Sequence, residues 1–181
     1  MRDDVFLGPD RYLAWRPAAA WRPAMSAGWW HWVASTDSLT ARLIDAAHGD
    51  FGVRLLTQRL DRPRRDEALA LDIPFTQRVW RREVALCAAG NPWVVARSVA
   101  PLAQLRGQRL GQLGERSLGS WLFRQPDLER GPIDVTRQSA PFHVERGPWG
   151  RRSLFQHGRF QVLVQEFFLA RMADELNLPR R

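Results

Sequence analysis

Three charged side chains in this chain fall where alternation calls for apolar ones. The stretch RVWRREVALCAAGNPWVVARSVAP, residues 78–101, alternates apolar and polar residues on both sides of a Gly-Asn turn signal, which predicts two strands joined at Ala88-Ala89-Gly90-Asn91. Successive side chains of a strand point to opposite faces. Trp80, Arg82, Val84 and Leu86 therefore share one face of the first strand, and Trp93, Val95, Arg97 and Val99 one face of the second. Near the C-terminus Phe160, Val162, Val164, Glu166 and Phe168 fall in one phase in the same way. A guanidinium set among large apolar side chains must find an anion, and a carboxylate is almost never fully buried unless paired. One such residue is usually an error of strand phase or a rim position. Three of them, Arg82, Arg97 and Glu166, at independent places point to an interior polar site.

The elements that must carry these residues follow from the rest of the chain. An opening arm of about 25 residues holds two WRP tripeptides, at Trp15–Pro17 and Trp21–Pro23, whose prolines forbid a continuous helix. It reads as extended or turn-rich, with its tryptophans packed along the body. Ser26 is placed to cap a short helix that keeps Trp29, Trp30 and Val33 at helical spacing. Asp37 or Ser38 caps a second one, with Leu39, Leu43 and Ala46/Ala47 on one side and Gly49 as its stop. FGVRLLTQRL, from Phe51 to Leu60, alternates as a strand, and DRPRRDEALALDIP reads as a polar connection with a brief apolar patch.

After the central hairpin, Gly107, Gly111, Gly114 and Gly119 break residues 102–125 into short turns. Ser117 is positioned either to cap the turn holding Leu118, Trp121, Leu122 and Phe123 or to leave its backbone N–H groups to an anion. Strand patterns return at IDVTRQS, GRRSLFQ and RFQVLVQEFFLAR, the last two joined at His157-Gly158. These boundaries predict an arm at 1–25, one domain at 26–175 and a tail at 176–181.

Composition narrows the function. With 181 residues, 45% of them apolar, the chain can bury a sizeable single core. No run approaches the roughly 18 apolar residues of a membrane span, and the N-terminus carries acids where a secretory signal carries bases, so a cytoplasmic protein without an integral membrane segment is expected. Cys87 is the only cysteine, which excludes an intramolecular disulfide and a cysteine metal cluster. His31 and His48 lie far from other ligand types, and no metal is expected. The net charge of +8 comes from arginines scattered along the chain, with only Arg62, Arg64 and Arg65 clustered. That pattern reads as a solvated surface rather than a nucleic-acid face. No P-loop, dinucleotide glycine fingerprint, nucleophile elbow or internal repeat is present.

The hairpin WRREVALCAAGNPWVVARSVAP, the segment LGERSLGSWLF, the run WGRRS at Trp149–Ser153, the closing VQEFFL and DSLT at Asp37–Thr40 resemble, in order and spacing, the chorismate pyruvate-lyase family of ubiquinone biosynthesis. The resemblance runs from about Trp29 to Leu169. It implies an α+β fold: an antiparallel sheet of about six strands with short helices covering an enclosed ligand pocket. It also implies a reaction in which chorismate gives 4-hydroxybenzoate and pyruvate with neither metal nor organic cofactor, in a monomer. Carried over residue by residue, the ring-carboxylate arginine falls on Arg82 and the acid near the 4-hydroxyl on Glu166. Two backbone N–H groups that touch the carboxylate fall on Leu39 and Leu118, and Arg97 matches another basic position of the pocket. The chain departs from the family in its WRP arm and in extra residues at Ser139–Pro148.

This chemistry agrees with the strand reading. Chorismate carries a ring carboxylate and an enolpyruvyl carboxylate, which suits two inward arginines, Arg82 and Arg97, making charge-assisted contacts. Glu166 suits the hydroxyl end. Aromatisation drives the elimination, so positioning and electrostatics matter more than a strong nucleophile. Two roles stay open for Glu166: acid or base, or orientation of the hydroxyl while hydrogen passes internally to the enolpyruvyl methylene. A ligand-sensing domain of the same fold is the alternative, although some 25 proline-interrupted residues leave no room for a helix-turn-helix. An RNA-binding module would need a clustered basic face with stacking aromatics.

Overall fold

The computed structural model describes residues 13–105 and 118–179. In chain order the elements are β1 (Arg16–Pro17), α1 (Ala18–Trp21), α2 (Ala27–Val33), α3 (Leu39–Ala46), β2 (Phe51–Asp61), α4 (Arg65–Leu71), β3 (Val79–Ala88) and β4 (Asn91–Pro101). They continue with α5 (Leu118–Leu122), β5 (Glu129–Arg130), β6 (Asp134–Thr136), β7 (Trp149–His157), β8 (Phe160–Phe168) and α6 (Ala170–Glu175). All strand pairs are antiparallel, in the order β1-β6-β7-β8-β4-β3-β2, with β5 also pairing β7. This is the expected α+β fold. The described sheet has eight strands rather than six because two of them, β1 and β5, are two-residue pairings that carry no alternation to read.

The central hairpin forms where the alternation places it. Ala89 and Gly90 take positive φ, 47° and 77°, at the two-residue turn, the backbone that matches the twist of the flanking strands. Every residue of β3 is buried, as are nearly all of β4, so the centre of the sheet is covered on both faces. On the front face, Trp29, Trp32 and Val33 of α2 and Leu39 and Leu43 of α3 pack against Val84, Leu86, Ala96, Trp149 and Phe168. Leu118 and Leu122 of α5 pack against Trp80, Ala100, Phe155, Phe160 and Val162. On the back face Leu71 of α4 meets Val79, Val99 and Leu163, and Leu13, Trp15 and Phe142 cover Ala85, Val95 and Phe167.

Serine caps start both front helices. Ser26 Oγ accepts from Trp29 N at 3.2 Å, and Ser38, not Asp37, accepts from Ala41 N at 3.3 Å. Ser117 lies outside the described residues. The described part of the arm, from Leu13 on, is tied down: Trp21 Nε1 donates to the Val135 carbonyl at 3.1 Å, and Trp15 Nε1 to Asp66 Oδ2 at 2.9 Å.

Residues 65–71 overturn the reading of a polar connection, because they form the helix α4. Its buried stripe is Asp66, Glu67, Ala68 and Leu71, half of it acidic, so no apolar period announces it. Glu67 closes the first turn by accepting from Arg64 N at 2.8 Å. The closing strand also ends early, at Phe168, and Ala170–Glu175 turn into α6. Among the described residues no helix is long and apolar enough to cross a membrane.

Candidate active site

A cavity opens between the front face of the sheet and helices α3 and α5. Its floor is Arg82, Val84 and Leu86 of β3, Ala96 and Ser98 of β4, Arg151 and Phe155 of β7, and Val164 and Glu166 of β8; its cover includes Leu39, Thr40, Leu118 and Leu122. Arg82 and Glu166 both reach it because they share the front face. Arg82 pairs Ser98 in the ladder, Glu166 pairs Ala96, and β4 runs between them. Two strand spacings put their backbones about 10 Å apart sideways.

Leu39 and Leu118 line the opposite wall, and Leu39 is the first residue of α3 after its Ser38 cap. A residue at that position has a backbone N–H with no partner inside the helix. Arg82 is 1% exposed, and burial lowers its pKa from the usual guanidinium range. Four of the residues singled out from the sequence, Arg82, Glu166, Leu39 and Leu118, therefore meet at one cavity.

Arg97 does not join them, contrary to the strand reading. It faces the back of the sheet, where its Nε donates to Glu83 Oε1 at 2.9 Å and its Nη1 to Glu67 Oε1 at 3.2 Å, with its Cζ 4.3 Å from the centroid of the Phe142 ring. The error arises at Trp93. Leu86 pairs Val94 but Cys87 pairs Pro92, so Trp93 is an extra residue that stays in the front core beside Val94. Counting by twos from Trp93 assigns Arg97 to the front, whereas counting from Val94 gives Ala96, Ser98 and Ala100.

The back-face network that takes Arg97 is extensive. Glu67, fully buried, also accepts from Arg81 Nη2 at 2.6 Å and from Gln165 Nε2 at 3.2 Å, and Arg81 Nη1 reaches Asp61 Oδ2 at 2.5 Å. Burial opposes ionisation of Glu67, but Arg81, Arg97 and the Arg64 N–H outweigh it and hold the carboxyl below its usual range. Burial lowers the Arg97 pKa in turn, against the pull of Glu67 and Glu83.

Two cavity arginines were not singled out from the sequence. Arg151 donates from Nε to Glu166 Oε2 at 2.6 Å, and from Nη1 to the carbonyls of Trp32, Val33 and Ser35 at 3.1, 3.3 and 2.9 Å. Arg130 donates to Ser153 Oγ at 3.1 Å and to the Ser35 carbonyl at 3.3 Å. Burial, with the like charge of Arg151, brings its pKa down to about 10 against the opposing pull of Glu166 and Asp37. Alternation contained the signal for Arg151: Trp149, Arg151, Ser153 and Phe155 share one phase of WGRRSLF. Arg130 sits in a two-residue strand with no phase to count. With Glu166 and with Asp37 at the mouth, three guanidiniums face two carboxylates, leaving the cavity suited to an anion. Among the described residues no cluster of three or more His, Cys, Asp or Glu side chains could hold a metal ion.

Comparison with known proteins bears on the fold and on the family. The solved structure of the effector domain of PhnF from Mycobacterium smegmatis superposes with a TM-score of 0.53 at 17% identity, over 76% of this chain and 91% of that one, a likeness of fold alone. A relative from Chromohalobacter salexigens named probable chorismate pyruvate-lyase is 58% identical over 97% of this chain and the whole of its own length. One of the same name from Pseudomonas aeruginosa is 43% identical over 81% of this chain and 86% of its own. The family model described as chorismate lyase matches residues 11–176, and the chain belongs to the chorismate lyase family.

Proposed function

We propose that this protein is a chorismate pyruvate-lyase that releases pyruvate from chorismate and leaves 4-hydroxybenzoate, the aromatic precursor of ubiquinone. The observation that carries the reading is that a buried Arg82 and Glu166, from strands on either side of β4, line one cavity on the front of the sheet. Arg82, with the N–H groups of Leu39 and Leu118, binds the ring carboxylate. Glu166, aimed by Arg151, receives the 4-hydroxyl.

In the reaction the C4 hydrogen leaves as a proton, the C3–O bond breaks, and its electron pair departs with the enolpyruvyl group, whose methylene takes a proton to become the methyl of pyruvate. The ring becomes aromatic in the same event. The protein's task is to hold the ring and the arm in one reactive geometry and to keep water out. The apolar wall of Val84, Leu86, Leu122, Phe155 and Val164 suits that task. Two carboxylates in the substrate and one in the aromatic product explain a site richer in cations than 4-hydroxybenzoate requires.

The test is direct. Purified protein incubated with chorismate and a chelator yields pyruvate, read by a coupled dehydrogenase, and 4-hydroxybenzoate, read by chromatography. Folded protein that yields neither sinks the reading and leaves a binding role; 3-hydroxybenzoate would refute the assigned regiochemistry.

A further inference from the structure

We infer that Arg130 is the second anion anchor of the cavity and takes the carboxylate of the enolpyruvyl arm, an inference that rests on the chorismate reading above.

Its guanidinium is held in place before any ligand arrives. Nε donates to Ser153 Oγ at 3.1 Å, Nη1 to the Ser35 carbonyl at 3.3 Å, and the group lies 5.1 Å from the Phe155 ring centroid. All of these partners are neutral. Among the described residues no carboxylate stands within ion-pair distance of Arg130, and its Nη2 donates to none of them. Arg151, by contrast, is neutralised by Glu166 at 2.6 Å. A half-buried cation that borders a cavity, with Glu166 and Asp37 near it but no described carboxylate in contact, gains from an incoming anion.

Its place matches the substrate. Arg130 and Arg151 converge on the same Ser35 carbonyl, so Arg130 stands at the Glu166 end of the cavity, away from Arg82. In chorismate the ether carbon adjoins the hydroxyl-bearing carbon. With the hydroxyl at Glu166 and the ring carboxylate at Arg82, the arm must carry its carboxylate toward the Glu166 end. Burial and the neighbouring Arg151 bring the Arg130 pKa to about 10, the expected mark of a cation that an anion would relieve.

This role separates substrate from product. Once the C3–O bond breaks, the second carboxylate leaves with pyruvate, and 4-hydroxybenzoate keeps nothing that Arg130 holds. Arg130→Gln should therefore lower kcat/KM for chorismate by about tenfold or more, mainly through KM, while the calorimetric Kd for 4-hydroxybenzoate stays within about threefold. Arg130→Lys, which keeps the charge but loses the planar fork, should recover part of the loss. Unchanged kinetics in Arg130→Gln, or equal loss for chorismate and 4-hydroxybenzoate, overturns the assignment. Should the glutamine variant not fold, the lysine variant decides by the same criterion: a loss confined to chorismate supports the role and an equal loss refutes it. Should the wild type release no pyruvate, the lyase reading fails by itself. Chorismate affinity measured by calorimetry in wild type and variant then judges Arg130 separately, with the same tenfold selective loss expected.

Discussion

Glu166 and Arg151 face each other in the β7–β8 ladder, with Arg151 Nε 2.6 Å from Glu166 Oε2, and the same guanidinium is clamped by three carbonyls at the end of α2. The carboxylate thus takes its aim from a buried arginine whose own position is set by backbone. Such a second layer of support is what keeps a reactive group within a fraction of an ångström of its target.

Glu166→Gln is expected to leave 4-hydroxybenzoate affinity within about threefold of wild type, because shape and hydrogen bonding persist. With Oε2 already committed to Arg151, orientation is the expected role, and kcat should fall by less than about tenfold; a fall of about 10²–10⁴ would assign Glu166 proton transfer instead. Arg151 also loses its countercharge, so denaturant titration should find the variant less stable by about 1–3 kcal/mol.

Arg82→Ala removes the anchor for a negative charge present in both substrate and product. A charged hydrogen bond is worth about 1.5–3 kcal/mol, so calorimetry should record at least about tenfold weaker 4-hydroxybenzoate binding. Unchanged affinity in the folded variant would take the central hairpin out of the site.

Glu67→Gln strips the back-face network of the carboxylate shared by Arg81 and Arg97. Removing one partner of a buried pair costs about 3–5 kcal/mol, and the value should emerge from urea unfolding at neutral pH. The folded-state pKa of Glu67 lies below its unfolded value near 4.5, so its contribution is complete above that pH and is lost as pH falls through the lower, folded value. The stability gap between wild type and variant should accordingly narrow on acidification below pH 4.5. A constant gap would show that Glu67 is not ionised in the fold.

Gly147→Ala probes the segment 139–148 where it meets the end of β8. A Cβ there would lie 1.7 Å from the Phe168 carbonyl oxygen, a backbone atom that cannot swing aside. The variant should lose about 1–3 kcal/mol, measured by thermal or urea unfolding. Unaltered stability would mean that this segment is free to lift from the end of β8.

Alternation was a good guide where a strand is regular and a poor one where it is not. The phase of β8 carried Glu166 to the cavity, and that of β3 carried Arg82 there. Arg97 failed because one extra residue at Trp93 shifts the count, an event that leaves no mark in composition. The helix α4 was hidden because its inward side chains are acids, Asp66 and Glu67, whose burial depends on arginines distant in sequence. Arg130 lay beyond reach for a related reason: its strand is too short to have a period.

The chain uses arginine doublets whose members serve opposite faces. Arg82 and Arg151 border the cavity, while their neighbours Arg81 and Arg152 belong to the back-face ion pairs. Because β3 is buried along its whole length, polarity alone does not say which side is which. A slip of one residue would still offer each face a cation and apolar side chains, so the hydrophobic pattern alone discriminates weakly against it. What discriminates against it is discontinuity: the shift between Leu55 and Thr57, the shift between Leu86 and Cys87, and the tight Ala89–Gly90 turn. A turn at the end of the hairpin thereby selects which of two adjacent arginines borders the cavity and which joins the back-face ion pairs.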